Sequence, residues 1–309
     1  MSVLSMLTTG RLSEKPWKAG AVVRLAASVA VCFFIGAAVA MVFRYFEMRE
    51  HSSEALFLAF IAAAVALFIT AIVVLMRRWP PEAYLSRLIG LLLCVYGGFL
   101  LLWLSAKLIH GKTELDNPIL AMIIAVLSFQ AAALVLTHFF LREHHMNWAD
   151  GFGLLNRPAQ SLLFGACVGF LTLVPAWLLQ DISARFFETF SVQTHEQEAV
   201  TILRNAEGWP QHLALGIATI LIAPLGEEVL FRGILYPAIK RTGRPQLALW
   251  STAILFGAIH ANLASFVPLT LLAVVLVWLY EYTGNLLACF GVHCIFNAAN
   301  FAALYLMPK

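Results

Sequence analysis

The chain has 309 residues, 61% of them hydrophobic and 12% charged, with a formal net charge of +3. An ordinary soluble domain is about half apolar and about a quarter charged, so this composition excludes a water-soluble globule and predicts an all-α, polytopic transmembrane helical bundle. The basic residues are dispersed among helix ends and form no patch interleaved with aromatics, which excludes nucleic acid as a partner.

Each crossing needs about 20 mostly apolar residues. Spans are expected at about 21–43, 54–76, 86–106, 118–140, 160–180, 212–236, 246–262, 265–282 and 286–306. The seventh and eighth are so closely joined that one of them is expected to be short, tilted or re-entrant. Polar or mixed residues precede the first run and no short apolar stretch ends in a small-residue cleavage site, so the first helix is read as its own insertion signal. No lipidation motif is present. Lysine and arginine are retained on the cytoplasmic side. Their excess at Arg11, Lys15, Lys18 and Arg24, at Arg77 and Arg78, and at Lys240, Arg241 and Arg244 places the N-terminus there. The expected location is the plasma or inner membrane, and the lipid bilayer is a partner throughout.

The first four spans contain almost no ionisable residue at membrane depth, and their Gly97-Gly98 pair suits close helix packing. The linker from Leu141 to Gln160 separates an N-terminal region, 1–148, whose role is open, from a C-terminal region, 149–309. Its His144-His145 pair lacks the i, i+4 spacing that puts two imidazoles on one helix face, so it reads as polar loop and not as a metal site. A second polar segment, Asp181 to Pro210, is expected to form interfacial helices with apolar faces at Phe186, Phe187, Phe190, Val200, Ile202 and Leu203, as a lid or flank. The five cysteines lie in apolar spans without CxxC spacing and read as small hydrophobes.

Polar groups at membrane depth are costly and tend to mark function. They cluster in the last hundred residues. The sixth span carries Glu227, Glu228 and Arg232 in "PLGEEVLFRGIL"; the seventh ends in "LFGAIH" with His260; the ninth contains "GVHCIFNAAN" with His293, Asn297 and Asn300. Glu228 and Arg232 are four apart in the favourable order for an intrahelical ion pair. Glu227 lies about 100° around the axis, free to face a cavity. His293 and Asn297 are also four apart, and Phe256 stacks one turn from His260. Gly226, Gly233, Gly257 and Gly291 let backbones approach closely nearby.

A carboxylate beside a neutral histidine can take a proton from water, and a second histidine with an amide can stabilise an oxyanion, which is equipment for amide hydrolysis. Two histidines and a glutamate are equally a catalytic zinc set. With no HExxH, both a zinc mechanism through Glu227, His260 and His293 and a metal-free one stay open. A proton-coupled transporter is a further alternative, weakened by the absence of an internal repeat. So is a non-catalytic membrane immunity or scaffold protein.

"EEVLFR" at Glu227–Arg232 resembles the EExxxR motif of the CAAX protease and bacteriocin-processing (CPBP) family of intramembrane proteases. "FGAIH", Phe256 to His260, resembles its FxxxH motif, and "HCIFN", His293 to Asn297, its HxxxN/B motif. All three occur in the family's order. The resemblance covers roughly Gln211 to Phe301 and reaches weakly back to Phe152. It implies a helical core enclosing a polar chamber, with residues 149–309 as the catalytic core. It implies Glu227 as general base, assisted by His260, with His293 and Asn297 on the oxyanion or in a metal shell, and Glu228 and Arg232 positioning the first glutamate. The implied activity is endopeptidase cleavage of a membrane-embedded or membrane-associated peptide or protein.

Overall fold

Apolar runs have few ways to satisfy their backbone away from water, and hydrogen bonding within a helix is the simplest. The computed structural model describes residues 12–48, 54–77, 84–108, 117–190, 200, 203–204 and 206–306; among these there is no strand. The chain forms α1 (Ala19–Met48), α2 (Glu54–Met76) and α3 (Tyr84–Leu108), then α4 over residues 118–143 with a π-helical turn at Val126–Ala131. The short α5 (Trp148–Phe152) leads into α6 (Pro158–Thr189). Next come α7 (Gly208–Lys240), α8 (Pro245–Ala258), α9 (Leu263–Thr283) and α10 (Leu286–Leu306).

Eight of these helices, not nine, are long and apolar enough to cross a membrane. The expected seventh span is α8, whose 14 residues rise only about 21 Å. It pairs back to back with α9, where a Cβ on Gly257 would lie 2.9 Å from the Phe266 carbonyl. Residues 181–189, expected to start interfacial helices, continue α6 instead, because no breaker follows Pro175 and the apolar face runs on through Phe186. Of the remaining positions in that expectation, Ile202 lies outside the described residues and Leu203 is buried.

Contacts divide the chain into two compact units, Val23–Leu136 and Met1–Val22 with Thr137–Lys309. The first is held by a core of Phe57, Ala64, Phe68, Ala71 and Leu75. Phe34 and Phe68 stack at 5.6 Å, and a Cβ on Gly98 would sit 2.5 Å from the Phe68 ring, the close approach its sequence predicts.

In the second unit α6 shows the inverted pattern of a helix solvated by lipid. Leu163, Leu171, Val174 and Leu178 point outward, while the small residues Ser161, Gly165, Gly169, Thr172 and Ala176 are buried. Without a hydrophobic drive between helices, small residues gain contact by letting backbones meet. A Cβ on Gly291 of α10 would stand 2.8 Å from the Leu162 carbonyl, and one on Gly169 would stand 3.1 Å from the Val292 carbonyl. Asn147 and Asn262 cap α5 and α9 by accepting from Asp150 N and Ser265 N, each at 2.8 Å. Gly153 (φ 69°) and Gly284 (φ 63°) end the same two helices in the left-handed conformation, and they pack so closely that a side chain on Gly153 would meet the Gly284 carbonyl. The two helix ends are thereby fixed together, and Asn285 Nδ2 donates to the Asn156 carbonyl at 2.8 Å beside them. The five cysteines are free thiols.

Candidate active site

Two prolines shape α7. A proline gives no N–H to the carbonyl four residues back and crowds it, and a widened turn ahead relieves the clash. Pro224 follows a π-helical turn at Ala218–Ile222, and Pro237 follows another at Val229–Leu235. In the first turn Ala223 N–H goes to the Ala218 carbonyl, so Thr219 O is left facing Pro224, which has no donor. Asn297 Nδ2 of α10 supplies the bond at 2.8 Å.

Between these turns stand the two glutamates. Glu228 is fully buried, Arg232 is 1% exposed, His293 is 3% exposed and Glu227 is 9% exposed. Arg232 Nη1 donates to Glu228 Oε1 at 2.9 Å, as the i, i+4 spacing predicts. The same oxygen receives His293 Nδ1 at 2.7 Å, a link that sequence spacing does not reveal. A carboxylate accepts only, so the imidazole carries its proton on Nδ1 and turns a bare Nε2 toward Glu227, whose Oε2 is 3.7 Å away. The two glutamates, expected to face apart, therefore both reach one histidine, because α10 carries His293 into the space between them.

Phe256 of α8 is the hub of the apolar side. Arg232 lies over its ring at 4.4 Å, and its centroid is 5.0 Å from that of His260 and 5.7 Å from that of His293. His260 stands just past the end of α8, half-buried, with Nδ1 donating to the Phe256 carbonyl at 2.7 Å. Its Nε2 is thus left as the open nitrogen. Asn300 accepts from Trp177 Nε1 at 2.9 Å, which ties α10 to α6.

Three buried polar atoms in this cluster have no protein partner: Glu227 Oε2, Glu228 Oε2 and Arg232 Nη2. Orphaned buried groups are uncommon, and three together mark a place that something else completes. A metal ion would find suitable lone pairs on Glu227, His260 and His293, and Glu228 on Nδ1 is the usual second support of a ligating imidazole. Among the described residues, however, no three ligating side chains are gathered closely enough to hold one.

Residues 209–299, which contain both glutamates, Arg232, Phe256, His260, His293 and Asn297, match the family model of the Rce1-like type II CAAX prenyl endopeptidases. This segment is similar to that family's domain. It takes in nearly all of α7, the α8–α9 pair and most of α10, and so includes the buried cluster. An uncharacterised protein of Bacillus subtilis (strain 168), YpbD, is 34% identical over 84 residues, 26% of this chain and 40% of that protein. The chain thus aligns with less than half the length of that relative. No solved structure matches the chain.

Of the residues singled out in the sequence, Glu227, Glu228, Arg232, Phe256, His260 and His293 stand together, and Asn297 reaches the neighbouring Thr219 carbonyl. Sequence reasoning missed the Thr219 carbonyl and the use of Glu228 by His293. Pro224 was the available signal for the first, since a proline inside an apolar span announces an unmet carbonyl one turn back.

Proposed function

We propose that the chain is an intramembrane endopeptidase that hydrolyses a peptide bond of a membrane-associated protein or peptide. The observation that carries this reading is the pair Glu227 Oε2 and His293 Nε2, two acceptors 3.7 Å apart with no donor between them. A water placed there gives one hydrogen to each and presents its oxygen lone pair to a carbonyl carbon. As the oxygen attacks, Glu227 takes the proton, and it then passes that proton to the departing amine as the C–N bond breaks. Water and peptide become a carboxylic acid and an amine, and Glu227 is regenerated. Glu228 and Arg232 keep His293 in the tautomer that leaves Nε2 bare.

Asn297 spends one amide hydrogen on Thr219 O and has a second for the oxyanion of the tetrahedral intermediate. His260 Nε2 is available for proton exchange with the leaving group. A zinc ion held by Glu227, His260 and His293 would polarise the carbonyl and acidify the water, and these three side chains would have to draw together to hold it. The substrate lies within or against the bilayer, a reading supported by a site set among helices long and apolar enough to cross a membrane.

The test compares membrane peptides in cells carrying wild-type protein and Glu227→Ala. Fragments that appear only with wild type are expected, with formation reduced about 10²–10⁴-fold in the variant, the usual effect of losing a general base. Identical fragments in both would refute the reading. Uptake driven by a pH gradient in proteoliposomes would point to the transporter instead. Loss of activity with chelator, restored by zinc and matched by elemental analysis, would select the metal form.

A further inference from the structure

The matched domain begins at residue 209, yet one of the side chains that holds α7 comes from far upstream. Trp17 is 2% exposed, and its Nε1 donates to the Gly233 carbonyl at 2.9 Å across 216 positions of sequence. That carbonyl needs the bond. The π-helical register closes with Tyr236 N–H on the Phe231 carbonyl, and Pro237, next along, has no N–H for either the Arg232 or the Gly233 carbonyl. The indole is seated edge-on against Phe140 at 5.1 Å and His144 at 5.4 Å. Its own carbonyl accepts from Arg241 Nη1 at 3.2 Å, and Lys18 N donates to His144 Nε2 at 3.2 Å. Phe152 fills the space beside Gly233, where a Cβ would be 2.5 Å from its ring.

Gly233 is the residue after Arg232, inside the π-helical turn. Its carbonyl lies one residue past Arg232 in the same turn, so holding it steadies the backbone from which Arg232 extends, and Arg232 holds Glu228, which holds His293. A loosened carbonyl at Gly233 is therefore transmitted to the bare Nε2 through one ion pair and one hydrogen bond.

We propose that Trp17 is a positioning residue for the reaction, its indole replacing the main-chain donor that Pro237 removes and so fixing Arg232, Glu228 and His293. The proposal rests on the peptidase reading above. It assigns to the segment before α1 a part in the chemistry that the matched domain lacks on its own.

The proline provides the control. Trp17→Phe keeps a ring and deletes the donor, whereas Pro237→Ala restores a main-chain N–H that the i→i−4 register resuming at Tyr236 aims at the Gly233 carbonyl. Both single variants and the double variant are compared in the full chain, in membranes, with the peptide that the Glu227→Ala comparison identifies. Losing one neutral hydrogen bond predicts that W17F lowers kcat about five- to tenfold with KM unchanged. The double variant should return to within about twofold of Pro237→Ala alone. In parallel, hydrogen exchange of the amides at 229–236 should quicken by a similar factor in W17F and slow again in the double variant.

An unchanged kcat, a change in KM alone, or a loss that Pro237→Ala does not rescue would overturn the proposal. If Glu227→Ala and wild type yield the same fragments, the peptidase reading fails by itself. The exchange measurement then decides alone, as it does if Pro237→Ala is inactive, and unaltered exchange at 229–236 sinks the role of Trp17.

Discussion

Glu228 Oε1 receives both Arg232 and His293, so a single oxygen carries the charge balance and the tautomer of the site. Deleting a partner of a buried ion pair leaves the other charge uncompensated, typically at about 3–5 kcal/mol, whereas removing both is often tolerated. Glu228→Ala is thus expected to lower the thermal unfolding midpoint sharply, and Glu228→Ala with Arg232→Met to recover most of it. Fragment formation should stay lost in both, because His293 Nδ1 has no acceptor in either. Recovery of activity in the double variant would show that the pair serves folding alone. The Glu228–Arg232 pair was legible in the sequence because both residues lie on one helix four positions apart. The His293 contact was not, since 65 residues separate its partners and no spacing rule says which ring nitrogen a distant carboxylate meets.

Helix packing delivers His293 and Asn297, and it depends on the small residues where α6 meets α10. A Cβ at Gly291 would come within 2.8 Å of the Leu162 carbonyl, a backbone atom that cannot swing aside. Gly291→Ala should push α10 outward and cost about 1–3 kcal/mol of stability, as overpacking does. Because His293 is two residues away, activity should fall more than the midpoint shift alone explains. Asn297→Leu is a second probe at this scale. It leaves Thr219 O unpaired at a cost of about 1–3 kcal/mol, read as a lowered midpoint in detergent, and an unchanged midpoint would mean that water takes over the carbonyl. The spans at 54–76 and 286–306 were read to the residue because long apolar runs set their own ends. The π-helical turns were not, since they change hydrogen-bond register without changing composition, and only Pro224 and Pro237 hint at them.

At the level of the whole chain, residues 12–22 belong with the C-terminal unit although Val23–Leu136 intervenes. Nothing in their composition announced this, because a mixed polar segment with one tryptophan has neither period nor motif. Lys15, in this segment, is 6% exposed, and burial pulls its ammonium below the ordinary lysine range while Asp150 partly opposes the shift. A group with a lowered native pKa binds fewer protons folded than unfolded, so stability rises with pH in the window between that lowered value and the ordinary lysine value of 10.5. The unfolding midpoint of wild type should climb relative to that of Lys15→Met as the pH rises toward 10.5, because the variant removes the titration. Parallel curves for the two proteins would show that Lys15 ionises freely in the fold.

The bond from Trp17 to Gly233 also imposes an order on biosynthesis. Trp17 is made 216 residues before its acceptor, and at about 5–20 residues per second the ribosome needs about 10–40 s to supply it. During that interval the helices of Val23–Leu136 are inserted and the indole has no carbonyl to hold. The π-helical turn that carries Arg232 therefore cannot be closed by the indole until α7 has been threaded and the tryptophan has found it, so this end of the buried cluster is completed late.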